Sequence, residues 1–138
     1  MDEQTINVVL CAPEKEKTEL EAQEVLCPGE DGIFTVRYGH TPYLTTLIPG
    51  VVLVKDTKGE EHYFAASGGF AEVHPEKTLI LADSYEAGDN VDEERAKAAR
   101  ERAELRLSKP EPETDLGRAE LALYRAVARI NAASKTGH

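Results

Sequence analysis

The sequence predicts a mainly β domain, a sandwich or barrel, followed by a pair of helices. Three observations predict it. Up to about residue 82 the apolar residues alternate or run in short blocks, with turn signals roughly every ten residues, the pattern of many short strands. Beyond residue 90 the chain is rich in Ala, Glu, Arg and Leu at helical spacing. Between the two lies Gly88-Asp89-Asn90, a turn cluster, with Asp89 or Asn90 as candidate cap and Asp92, Glu93 and Glu94 as first-turn acids.

The strands follow in order. Ile6 to Cys11 is a first strand, ended by Ala12-Pro13. Lys15 to Leu20 reads as an edge strand or turn, and Glu24 to Cys27 as a strand stopped by Pro28-Gly29. Gly32 to Val36 precedes a loop at residues 37–42, and Tyr43 to Ile48 is apolar and β-branched. Val51 to Val54 and Glu61 to Ala66 flank the hairpin turn Asp56-Thr57-Lys58-Gly59. Phe70 to His74 and Thr78 to Ala82 complete the set around Pro75-Glu76-Lys77.

Val91 to Leu107 reads as the first helix, with Ala96, Ala99, Ala103 and Leu107 on one narrow stripe that lets a second helix approach closely. Pro110 and Pro112 interrupt it. The second helix runs from about Glu113 to Ala133, started by Glu113 or Thr114. Its apolar stripe is Leu116, Ala119, Leu123, Val127 and Ile130. Arg118, Arg125 and Arg129 fall within about 40° of one another on another face. A tight connection makes the helices antiparallel, and each is marginal alone in water, so the pair needs a surface to rest on.

At 138 residues the chain holds one ordinary domain or two small ones, and its net charge of −10 argues against general nucleic-acid binding. Nearly all the negative excess precedes Ser84. The last helix carries Arg118, Arg125, Arg129 and Lys135 against Glu120 alone, a cationic element suited to phosphate or an acidic partner. No apolar run approaches the roughly 20 residues that cross a bilayer. The start Met-Asp-Glu-Gln-Thr lacks the regions of a signal peptide, which places the chain in the cytosol or on a cytosolic complex. Cys11 and Cys27 read as free thiols there.

No catalytic residue is predicted: the chain lacks a nucleophile elbow, a Cys-x-x-Cys and a phosphate loop. His40, His62, His74 and His138 show no metal-ligand spacing, so no metal is expected. Ser67-Gly68-Gly69 reads as a bulge or close crossing. The segment around residue 90 is more suggestive. Asp92 and Arg95 stand at a helix start, and Arg125 and Arg129 lie on a helix that can fold beside it, so guanidinium groups could converge on a phosphate chain. The same residues also read as a solvated charged surface with intrahelical pairs such as Arg125 with Glu120.

Several motifs in order, Gly-Glu-Asp-Gly-Ile-Phe (29–34), Gly-His-Thr-Pro-Tyr-Leu-Thr-Thr-Leu (39–47), Pro-Gly-Val (49–51), Ser-Gly-Gly-Phe-Ala-Glu-Val (67–73), Leu-Ala-Asp (81–83), Val-Asp-Glu-Glu-Arg-Ala (91–96) and Arg-Ala-Glu-Leu-Ala-Leu (118–123), resemble the epsilon subunit of bacterial F-type ATP synthase. The resemblance spans nearly the whole chain. It implies a ten-stranded N-terminal β-sandwich over residues 1–85 that binds the gamma subunit and the c-ring, a hinge at 86–90, and a regulatory helical hairpin at 91–138. It implies a non-catalytic rotor subunit of the central stalk, peripheral on the cytoplasmic face of the bacterial cell membrane. Such a subunit couples rotation and proton transport to ATP synthesis. Its hairpin can extend toward the alpha and beta subunits and inhibit ATP hydrolysis.

The family's nucleotide motif, Ile/Leu-Asp-x-x-Arg-Ala plus arginines on the second helix, maps onto Val91, Asp92, Arg95, Ala96, Arg125 and Arg129, with Glu86 at the upstream acidic position. Val91 stands where the motif has Ile or Leu, and the connection 109–114 is proline-rich. The resemblance implies ATP as a regulatory ligand of the compact hairpin, no required cofactor, and Arg118, Arg125 and Arg129 as contacts for an acidic region of beta when extended. Glu30, Gly39, His40 and Thr41 resemble the part that meets the c-ring loops. The alternatives are a rotor subunit with a purely structural hairpin, and an unrelated β-sandwich binding module.

Overall fold

The computed structural model describes residues 4–136; Met1–Glu3, Gly137 and His138 lie outside the described residues, and with them the N-terminal leader reading and the fourth histidine. Nine strands come first: β1 (Ile6–Cys11), β2 (Thr18–Gly29), β3 (Gly32–Arg37), β4 (Tyr43–Leu47), β5 (Gly50–Asp56), β6 (Glu61–Ala66), β7 (Gly69–His74), β8 (Lys77–Ala82) and β9 (Tyr85–Ala87). A 3-10 turn at Gly88–Asn90 leads to α1 (Glu93–Ser108) and α2 (Leu116–Lys135).

The expected ten strands are nine among the described residues. The end of the segment read at 15–20 and the segment 24–27 fall in one long strand, Thr18–Gly29, which bends at a bulge between Ala22 and Glu24. Pro28 does not stop it. Its missing N–H falls one residue before the strand ends at Gly29, and its carbonyl still accepts from the Ile48 N–H at 3.0 Å. Tyr85–Ala87, at the boundary between the expected sandwich (1–85) and hinge (86–90), is a short strand on β6.

The long β2 builds the sandwich. Its first half pairs with β1 and its second half with β3 and β5. One layer continues β1-β8-β7-β4 and the other β2-β5-β6-β9. The period-2 alternation of the strands fills the space between. Ile6, Val8 and Leu10 of β1, Val52 and Val54 of β5, Ala71 and Val73 of β7, and Ile80 of β8 are all buried. Tyr85 closes this core with its ring, and its hydroxyl donates to the Leu10 carbonyl at 3.1 Å. Lys15 spans from the β1–β2 loop to donate to the Tyr85 carbonyl at 2.7 Å, its ammonium 3.8 Å from the ring centre.

The helical pair starts and stops differently from the sequence reading. Asp92, not Asp89 or Asn90, caps α1, its carboxylate accepting from the Arg95 N–H at 3.1 Å. Asp115, not Glu113 or Thr114, caps α2 in the same way through the Arg118 N–H. Thr114 instead accepts from the Glu111 N–H, shaping the connection.

The expected stripe of α2 is not its buried face. Ala119 is buried, but Leu123, Val127 and Ile130 are half-buried and Leu116 is half exposed. The helix seats through alanines. Ala119, Ala126 and Ala133, spaced by seven, face α1, whose buried residues are Ala96 and Ala103, also spaced by seven. Ala128 and Ala132 pack on Ala65 of β6, with Val51 and Tyr63 beside them. Small residues on both seams let backbones approach where larger side chains cannot.

Candidate functional site

Glu86 is held at the rim of the sandwich because Tyr85 on one side is anchored in the core and β9 pairs with β6, placing Glu86 opposite Ala65. Ala65 is also where α2 docks. The docked helix brings Arg129 over the strand, and its Nε lies 3.4 Å from Glu86 Oε1. Both side chains stay partly exposed, so the pair contributes at most about 1 kcal/mol.

Behind this pair lies a cavity of about 110 Å³, lined by Ser67, Ser84, Glu86, Arg125 and Arg129 with Ala65, Ala66 and Tyr85 at its base. The Ser67 and Ser84 hydroxyls meet at 2.7 Å, and Ser67 Oγ also donates to the Ser84 carbonyl. A second, wider groove of about 660 Å³ runs between the end of α1 and the start of α2, with Arg106, Lys109, Arg118 and Arg125 along it and Glu111, Glu113 and Asp115 opposing them. Arg125 borders both. Small-molecule sites commonly occupy about 300–1,000 Å³. The inner cavity therefore suits a single phosphoryl-sized group, and the outer groove has room for more.

Of the residues expected to bind nucleotide, the structure brings together Glu86, Arg125 and Arg129. Asp92 and Arg95 are exposed and line neither space; their expressed contact is the helix cap. Val91 is half-buried in the extended link before α1, and Ala96 is buried in the seam with α2. Sequence reasoning missed Ser67 and Ser84. Ser67 reads as a bulge, and only the fold sets it against Ser84.

The expected c-ring residues fall into two groups. Glu30 sits in the β2–β3 turn, its N–H donating to Thr46 O at 2.9 Å. Gly39, His40 and Thr41 sit in the β3–β4 loop, where Gly39 takes φ +82 and donates to Pro75 O, and His40 Nδ1 lies 2.6 Å from Thr41 O. The six-residue β3 separates them by about 20 Å. Arg118, expected with Arg125 and Arg129 to meet beta, is exposed on α2 in the same line.

Two surface features went unread. The outer face of the β4-β7-β8 layer carries Leu44, Phe70 and Leu81, which are 70%, 53% and 44% exposed. Register places Phe70 directly opposite both Thr46 and Leu81. The spacing of the histidines in the sequence does not show that the fold brings one of them beside two carboxylates. Asp56, Glu60 and His62 each offer a potential ligand atom within 4.8 Å of the others, because the β5–β6 hairpin folds the two ends of the turn together. Asp56 Oδ1 accepts from the Lys58 and Glu60 N–H groups and Oδ2 lies 2.8 Å from His62 Nε2. The carboxylate is thus already committed to shaping the turn.

Comparison with known proteins places this architecture. The family model for the ATP synthase delta/epsilon chain β-sandwich domain matches residues 5–88, and that for the long α-helix domain of the same chain matches residues 89–134. The chain belongs to the ATP synthase delta/epsilon family. It is 43% identical over 129 residues to the ATP synthase epsilon chain of Moorella thermoacetica, covering 94% of this chain and 96% of that one. It is 45% identical over 111 residues to the epsilon chain of Desulforapulum autotrophicum, covering 80% and 82%, and 40% identical over 131 residues to that of Bacillus pumilus, covering 95% and 98%. Its fold is similar to a chain in the Euglena gracilis mitochondrial ATP synthase structure, with TM-score 0.80 and 23% identity over 91% of this chain and 79% of that one. Family membership makes it a non-catalytic subunit of the ATP synthase complex, so the chain is not itself an enzyme. No helix among the described residues is long and apolar enough to cross a membrane.

Proposed function

We propose that the chain is a central-stalk rotor subunit of a bacterial F-type ATP synthase whose hairpin is a two-state, nucleotide-responsive inhibitor of ATP hydrolysis. The observation that carries this reading is how lightly the hairpin is held. The fully buried part of α2's seat on the sandwich is Ala128 and Ala132, joined by one partly exposed ion pair, while Leu123, Val127 and Ile130 are only half-buried and Leu116, Leu121 and Tyr124 are exposed. Each buried methyl is worth about 0.8 kcal/mol and the pair at most about 1. Docking energies of a few kcal/mol are within reach of a ligand, which stabilises its preferred state by about 2.7 kcal/mol at a hundred times its dissociation constant.

In the compact state Arg125 and Arg129 would hold nucleotide phosphates beside Glu86, while Val91, Asp92, Arg95 and Ala96, which line neither space, would act by fixing the start of α1. Because the inner cavity is small, one phosphoryl group would enter it and the nucleoside would lie outside, which requires Arg129 to trade Glu86 for phosphate. When the hairpin leaves, with residues 86–90 as the hinge between segments 1–85 and 91–138, Arg118, Arg125 and Arg129 would meet acidic side chains of beta beside alpha. The half-exposed Leu116, Leu121 and Tyr124 would find apolar cover there. The exposed face of Leu44, Phe70 and Leu81 would bind gamma, and Glu30 and the Gly39–Thr41 loop would meet different loops of the c-ring. These contacts hold the subunit peripherally at the cytoplasmic face of the membrane, coupling rotation and proton transport to synthesis.

Removing the hairpin after Asp89 tests the inhibitory arm. The truncated chain should still assemble and should raise ATP hydrolysis by the complex. Unchanged hydrolysis would contradict an inhibitory hairpin.

A further inference from the structure

The end of α2 does not merely lie near the 3-10 turn; it rests on it. Gly88 is buried. A Cβ built there would overlap Thr136 Oγ1 and lie 2.5 Å from the Ala132 carbonyl oxygen. The backbone of Gly88 lies outside the left-handed region, so glycine is not required there for its φ. What requires it is the approach of α2.

The two obstacles are fixed to each other. Thr136 Oγ1 donates to the Ala132 carbonyl at 2.7 Å, and the Thr136 N–H donates to the Ala132 and Ala133 carbonyls at 3.2 and 3.3 Å. This closes the helix terminus into a blunt end that meets Gly88 first with the Thr136 hydroxyl and then with the Ala132 backbone carbonyl. The Ala132 carbonyl is helix backbone and cannot rotate aside, and Thr136 Oγ1 can turn away only by giving up its hydrogen bond to that carbonyl. Two residues upstream, Glu86 meets Arg129 one turn earlier on the same helix. The short strip from Glu86 to Gly88 therefore contacts α2 at successive turns, at Arg129, Ala132 and Thr136.

We infer that Gly88 is a positioning residue: its missing side chain is the seat that sets the height and closeness of α2 on the sandwich, and so places Arg129 over Glu86. A side chain at 88 would exclude the docked hairpin. It would leave an undocked one unstrained, since the φ suits any residue and the obstacles depart with the helix. Replacing glycine by alanine at such a φ even favours the remaining ordered states by restricting the unfolded chain. The substitution thus discriminates between the two hairpin positions.

Amide hydrogen exchange on the intact Gly88→Ala chain, without nucleotide, tests the seat directly. The helical pair is marginal without its support, so α2 amides should exchange about tenfold faster or more, the factor that overpacking of this kind commonly produces. Amides of β1, β7 and β8 should keep their protection. Adding Thr136→Ala removes the nearer obstacle and should restore part of the α2 protection. Unchanged α2 exchange in Gly88→Ala would overturn the inference. So would equal acceleration of all strands, or a double variant no better protected than the single one. The weaker ATP binding expected of Gly88→Ala rests on the proposed nucleotide role, but the exchange result does not, so either can fail without the other.

Discussion

Arg129 Nε lies 3.4 Å from Glu86 Oε1, and this contact joins the helix that is proposed to move to the strand from which it would move. Neither residue is buried, and no neighbouring charge is so close to Arg129 among the described residues. The pair therefore works as a placeholder. It keeps the guanidinium at the mouth of the inner cavity without a large penalty for letting go.

Arg129→Ala and Arg125→Ala should each weaken ATP binding by about tenfold or more, since a hydrogen bond to a charged group contributes about 1.5–3 kcal/mol. The melting temperature of the sandwich should stay within the range of ordinary surface substitutions. Isothermal calorimetry and thermal unfolding on the same samples check both statements.

Asp92 is the motif residue whose structural role is visible. Asp92→Ala should cost about 1 kcal/mol of α1 stability through loss of the N-cap, seen as faster exchange of the Arg95 amide. If Asp92 also touches nucleotide, its loss of affinity will exceed that of a substitution that frays the helix elsewhere.

Much of this was legible in the sequence, and the exceptions share a cause. Alternation in Ile6–Cys11 and the turn at 56–59 give β1 and the β5–β6 hairpin directly, because period and turn chemistry are local. The seam of Ala96 and Ala103 is also local. The face of α2 was not, because five alanines outranked Leu116, Leu123, Val127 and Ile130 for burial. Hydrophobicity favours the large residues, while the closeness set by Ala65 and Gly88 admits only small ones. The Ser67–Ser84 pair and the Asp56–His62 contact depend on strands meeting, which spacing does not report.

The outer face of the sandwich should govern assembly. Phe70→Glu or Leu44→Glu places a charge on an exposed patch. Each should leave folding intact while weakening copurification with gamma. Retained copurification of both variants would move the gamma contact elsewhere.

The β5–β6 turn should be acid-sensitive in a defined sense. The His62 hydrogen bond, aided by the Glu60 and Lys58 N–H groups, holds the Asp56 carboxyl below its ordinary value of 3.8. A depressed carboxyl contributes stability above its ordinary value, and the contribution is lost as pH falls through the folded value. An NMR titration should find the Asp56 midpoint below 3.8, and His62→Ala should raise it.

The thiols should differ in reactivity. Burial pushes the Cys27 thiol up to about 12, whereas Cys11 is half-buried. A thiol reagent at neutral pH should modify Cys11 in the folded chain and reach Cys27 only on unfolding.

The central claim is that the docked hairpin is a nucleotide-responsive state, and calorimetric titration of the intact chain with ATP tests it most directly. The account predicts saturable binding that Arg125→Ala and Arg129→Ala weaken. No binding at millimolar ATP, or binding indifferent to both substitutions, would contradict it.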